Sequence, residues 1–133
     1  MKREIKFRAY SSHNYKMYPV SNIEWDIDGR IWVTADDGKN GIELIDEEAH
    51  LMQCTGLHDK NGRKIYEGDI VRTGKDNIGD PELMIGQVIM REGSWLIENE
   101  KMQEAIELFS EITSREVIGN IFENPELREA QHE

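Results

Sequence analysis

A chain that sets Asn61-Gly62 between two runs of β-forming residues has little choice but to fold back on itself there. Asn and Gly accept positive φ more readily than other residues, so the pair favours the tight primed turn of a hairpin. Before it, Leu51-Met52-Gln53-Cys54-Thr55 is short and strand-like. After it, Ile65-Tyr66 and Asp69-Ile70-Val71-Arg72 carry the β-branched and aromatic residues that suit a pleated surface. Gly56 and Gly68 interrupt the two runs where a bend or bulge is easiest. The stretch 54–72 describes architecture rather than chemistry: a polar-tipped hairpin feeding the first strand of a small barrel or sandwich.

The same period-two logic extends to both sides. Ile5, Phe7 and Ala9 alternate with Lys6, Arg8 and Tyr10, as in a half-buried strand. Ile23, Trp25 and Ile27 share one face, Asp28-Gly29 reads as a two-residue turn, and Ile31, Val33 and Ala35 continue the alternation. On that pattern Trp25 belongs to the core, while Trp32, opposite Ile31 and Val33, is an exposed or interface ring. Asp46-Glu47-Glu48 suits one helical turn. Residues 73–81 have loop composition throughout. Leu83 to Arg91 is apolar on both faces and predicts a central, doubly covered strand, with Glu92-Gly93 turning the chain into Trp95-Leu96-Ile97. Met102, Ala105, Ile106 and Phe109 fall at helical spacing and predict an amphipathic helix over 102–112. Glu116 to Phe122 reads as a last strand, and Pro125 after Asn124 as the start of a terminal helical turn. No internal repeat or low-complexity segment is visible.

Three blocks carry a family resemblance. They are Arg3–Ala9 at the start, Val117–Pro125 at the end, and a central set comprising Leu51-Met52-Gln53, Thr55-Gly56-Leu57, Asp59-Lys60-Asn61-Gly62 and Ile65–Val71. In this order they resemble the YopX proteins of phages and prophages over essentially the whole chain. The resemblance implies a small, phage-encoded, mostly β protein without an established biochemical role. Similar sequences often have an aromatic residue where this chain has Cys54, which speaks against a required thiol.

The expected fold is mainly β, with an open α+β sheet as the alternative. Residues 1–50 form an N-terminal β extension, taken as the oligomerisation region. Residues 51–133 form an SH3-like barrel with one or two short helices. No apolar run approaches the roughly 18 residues of a membrane span. The N-terminus lacks an apolar signal core, and the single cysteine fits a reducing cytosol. A cytoplasmic location in a bacterial host is therefore expected.

Charge narrows the partners. The net charge is −11 over 133 residues, unevenly spread. Residues 1–20 carry five basic side chains against one acid, whereas residues 92–133 carry three against eleven. An acidic C-terminal third opposes a broad phosphate-binding face. Nucleic-acid binding through Lys2, Arg3, Lys6 and Arg8 with exposed aromatics is the alternative to a protein-binding role.

The chemical constellations are weak. Asp26-Ile27-Asp28-Gly29 and Asp59-Lys60-Asn61-Gly62 resemble the opening of a calcium loop, which needs an acidic first position and Glu at the twelfth. With Gly62 sixth, Leu57 stands first and Gly68 twelfth; with Gly29 sixth, Glu24 stands first but Ala35 twelfth. Both read as hairpin turns. One cysteine and four scattered histidines give no zinc pattern. Cys54 with His58 and Asp59 is the single nucleophile–base candidate, and Glu67 with Asp69 the best carboxylate pair. Neither meets a recognisable catalytic pattern, so no enzyme, metal or cofactor is expected. The expected role is self-association plus binding of a protein partner, through Ile5, Phe7, Trp32, Glu104 and Glu107.

Overall fold

The computed structural model describes residues 6–36, 41–75, 84–99, 103–108 and 113–129. The protein is mainly β, and the described strand pairings are antiparallel. In chain order the strands are β1 (Phe7–Ser11), β2 (Met17–Trp25), β3 (Ile31–Asp36), β4 (Gly41–Ile45) and, after a 3-10 turn at Asp46–Glu48, β5 (Ala49–His58). They continue as β6 (Lys64–Tyr66), β7 (Asp69–Lys75), β8 (Met84–Arg91), β9 (Ser94–Asn99), β10 (Glu104–Glu107) and β11 (Thr113–Asn120), before the one-turn helix α1 (Glu126–Glu129). One sheet has the order β4-β3-β2-β1-β5-β6, the other β10-β9-β8-β7-β11. The chain divides into two units, Met1–Cys54 and Thr55–Glu133, at a point inside β5.

In the first unit Ala9, Val33 and Leu44 are fully buried, with Val20, Ile31, Ile42, Ala49 and Leu51 packed against them. The alternation predicted for β3 holds, since Val33 and Ala35 point inward. Pro19 sits inside β2 without disrupting it. Pairing with β1 ends at Arg8↔Pro19 and pairing with β3 begins at Val20↔Ala35, so the residue lacking an N–H falls where the strand changes partners.

In the second unit Ile65, Val71, Met84, Val88, Ile97 and Leu108 form the core. β8 is central, between β7 and β9, but it is not buried on both faces: Met84, Gly86 and Val88 are inside, Ile85, Gln87 and Ile89 on the opposite face are half-buried, and Met90, past the end of the buried row, is exposed. Gly86 is there for closeness. A Cβ on it would lie 2.6 Å from Ile97 Cγ2 and 2.8 Å from the Glu98 carbonyl oxygen. Glu92 and Gly93 both take positive φ, the primed turn that joins β8 to β9.

Two sequence expectations are corrected. The helix over 102–112 is absent among the described residues: Glu104–Glu107 is strand β10, with Ile106 opposite Ile97 and Leu108 N–H donating to the Trp95 carbonyl at 3.0 Å. A short amphipathic pattern has little helical stability of its own, and pairing with β9 wins. Its ends, Met102 and residues 109–112, lie outside the described residues. The turns at Gly29 and Gly62 are also longer than two residues, for a reason that appears in the site geometry below. The 3-10 turn at Asp46–Glu48 and the terminal turn after Pro125 agree with the sequence reading. No helix among the described residues is long and apolar enough to cross a membrane.

Candidate functional site

The two turns tested as calcium loops share a five-residue pattern, Asp26-Ile27-Asp28-Gly29-Arg30 and Asp59-Lys60-Asn61-Gly62-Arg63. They fold in the same way. Asp26 N–H donates to Arg30 O at 3.0 Å and Gly29 N–H to Asp26 O at 3.1 Å; Asp59 N–H donates to Arg63 O at 2.8 Å and Gly62 N–H to Asp59 O at 3.0 Å. One carboxylate oxygen of each aspartate gathers two loop amides, those of Asp28 and Arg30 on Asp26 and those of Asn61 and Arg63 on Asp59, at 2.8–2.9 Å. Gly29 and Gly62 both have φ +82. Asn61 does not have positive φ, so the primed two-residue turn expected for Asn61-Gly62 gives way to a turn followed by a left-handed glycine. The aspartate at the head of each loop selects that form by taking both amides.

The second carboxylate oxygen distinguishes them. Asp59 Oδ2 accepts the Val117 N–H of β11 at 3.0 Å. Lys60 N–H donates to the Arg115 carbonyl at 2.8 Å, and an Arg63 guanidinium nitrogen to the Val117 carbonyl at 3.3 Å. β11 pairs with β7 on its other side, so the Asp59 loop covers what would be an open strand edge. Around this seat Glu116 accepts from Arg72 and Asn61 and pairs with Lys60. Burial pushes the Asp59 carboxyl up, but the amides of Val117, Arg63 and Asn61 outweigh it and hold the group below the ordinary range. Glu116 is lowered as well, chiefly by Arg72.

In the Asp26 loop the second oxygen accepts Trp32 Nε1–H at 2.9 Å. That hydrogen bond, with the Arg30 amide next, holds the Asp26 carboxyl below the ordinary carboxylate range. It also bears on where the tryptophans lie. Trp32 is half-buried and tied to its own hairpin, whereas Trp25, expected in the core, is 66% exposed and Ile27 fully exposed at 101%. Alternation placed Trp25 on the inner face, but it is the last residue of β2 and lies beyond the buried cluster.

The remaining predicted residues are scattered. Ile5, Lys2 and Arg3 lie outside the described residues. Phe7 and Arg8 are half-buried on β1, and Lys6 is exposed with its carbonyl taken by Cys54 N–H at 2.8 Å. Glu104 and Glu107 end the exposed edge strand β10. Cys54 belongs to the first unit and His58 and Asp59 to the second, where the Asp59 carboxylate is engaged by its loop. Asp69 is buried and accepts the Tyr66 N–H at 2.8 Å. Between it and half-buried Glu67, Gly68 donates to Val88 O and accepts from Ile121 N–H, both at 3.0 Å. That segment is a backbone junction. Among the described residues no group of three His, Cys, Asp or Glu side chains is placed to hold a metal ion. Sequence reasoning missed the exposed tip and the covered edge; the repeated Asp-Xaa-Asp/Asn-Gly-Arg pattern signals the shared loop shape but not what each loop meets.

No curated protein matches the chain. Among solved structures it is similar to protein YopX from Bacillus subtilis, with a TM-score of 0.64 and 19% identity, covering 92% of this chain and 96% of that one. It is also similar to protein EF1440 from Enterococcus faecalis, with a TM-score of 0.57 and 23% identity, covering 96% and 99%. At those identities the likeness is one of fold. The family model described as YopX protein matches residues 6–129, and so the chain belongs to the YopX family.

Proposed function

We propose that this is a non-enzymatic phage or prophage accessory protein that self-associates through its N-terminal sheet and presents an acidic face to a protein partner in the bacterial cytoplasm. One observation carries the reading: Trp25 at the end of β2 and Ile27 in the adjoining loop, whose shape Asp26 fixes, are both exposed. Withdrawing a large apolar side chain from water is worth about 1.5–3 kcal/mol, and a loop already held in one shape loses little freedom on docking. Glu104 and Glu107, on an outer strand of an acidic chain, supply the second face. The finer fold reading is an SH3-like barrel in the C-terminal half. It is supported by the order β10-β9-β8-β7-β11, in which a four-strand meander is followed by a fifth strand returning beside the first.

Light scattering across the micromolar range tests the self-association: an oligomer is expected, and a strict monomer overturns it. Charge reversal at Glu104 and Glu107 is expected to weaken capture of a host partner while leaving the oligomer intact.

A further inference from the structure

The Asp59 loop shows what this five-residue pattern does when it meets a strand edge. The residue after the aspartate gives its N–H to the carbonyl of edge residue 115, the aspartate takes the N–H of residue 117, and the arginine reaches the carbonyl of 117. The Asp26 loop has the same internal hydrogen bonds and the same arginine at its end. Its Ile27 N–H makes no hydrogen bond among the described residues. Asp26 already accepts three donors, and a carboxylate has about four acceptor positions, so one is open.

The first unit also holds an edge of the kind the loop fits. Among the described residues β4 is the outer strand of its sheet. Ile45 N–H turns away from β3 to Glu48 Oε1 at 2.8 Å, and on β3 the Ile31 N–H turns towards Asp46 Oδ1 at 2.8 Å. By the alternation of an antiparallel pair, Ile42 and Leu44 therefore bond to β3, whereas Gly41 and Glu43 direct N–H and carbonyl outward. Gly41 and Glu43 have the two-residue spacing of Arg115 and Val117. Glu43 is exposed and opposite in charge to Arg30.

We propose that the Asp26–Arg30 tip of one copy docks on the outer edge of β4 in a second copy, with Ile27 N–H donating to the Gly41 carbonyl and Glu43 N–H donating to Asp26. Arg30 meets Glu43, and Ile27 and Trp25 are withdrawn from water. Tip and edge belong to one unit, so two copies can exchange them reciprocally in an isologous pair. This rests on the self-association proposed above and names its surface.

The test uses the full chain in sedimentation velocity. Ile27→Asp should weaken the dimer about thirtyfold or more, the loss expected when a buried anchor is removed. Glu43→Pro, which deletes an outward N–H at an edge where proline is tolerated, should do the same with an unchanged far-UV spectrum. In the unmodified protein the Ile27 and Glu43 amides should exchange more slowly with solvent as concentration rises, a readout independent of any variant's folding. A dimer that survives both substitutions, or amides at 27 and 43 indifferent to concentration in a dimer, overturns this surface while leaving self-association standing. A monomer throughout removes both.

Discussion

The Asp26 and Asp59 loops are one device used twice. Each begins with an aspartate that collects the amides two and four residues on, and each ends on a left-handed glycine and an arginine. They differ in what lies outside. Asp59 is 7% exposed and its remaining oxygen is bonded to a strand 58 residues later in the chain. Asp26 spends its remaining oxygen on an indole six residues away and leaves its tip in solvent. A turn motif thus fixes local shape, and its surroundings decide whether that shape closes an edge or stays on offer.

The comparison breaks most easily at Asp59. Asp59→Ala leaves the amides of Asn61, Arg63 and Val117 without their acceptor and should destabilise the protein by about 3 kcal/mol; calorimetric Tm reads it, and an unchanged Tm would mean the edge is held by other contacts. Acid gives a smaller effect at the same place. The folded Asp59 carboxyl lies below its ordinary value of 3.8, so its contribution is complete above that value and is lost as pH falls through the folded value. Urea midpoints measured from neutral to strongly acidic pH should fall on that limb, and Asp59→Asn should flatten it.

The glycines sharpen the likeness. Gly29 and Gly62 share φ +82, and a Cβ on either would meet nothing within 4 Å, so Gly29→Ala and Gly62→Ala should each cost about 1 kcal/mol of backbone strain. Unequal costs in denaturant titrations would show that one loop is strained by its surroundings. The smallest change in stability is expected for Asp26→Ala, which should instead move tryptophan emission as Trp32 loses its acceptor; a Tm loss matching that of Asp59→Ala would erase the distinction between the loops.

What was legible in the sequence was what is decided nearby. The hairpin at Glu92-Gly93, the inward Val33 and Ala35, the helical turn at 46–48 and the two turn regions follow from residues within a few positions of each other. Apart from the length of the two turns, which the heading aspartates set locally, the failures depend on distant partners or on position along a strand. Ala105 and Ile106 have helical spacing but pair with β9; Trp25 obeys the alternation yet runs past the core; Met90 faces solvent at the far end of β8. The role of Asp59 was invisible for the same reason, since nothing in residues 59–63 announces Val117.

That long reach has a consequence for biogenesis. A chain leaving the ribosome has the Asp59 loop tens of residues before β11 exists to receive it, and β7 must wait for the same strand. Such late closure makes folding slow and leaves strands uncovered in the interim. Synthesis halted before residue 117 would release a product with an unfinished second sheet, prone to aggregation or proteolysis even though most of its sequence had been made.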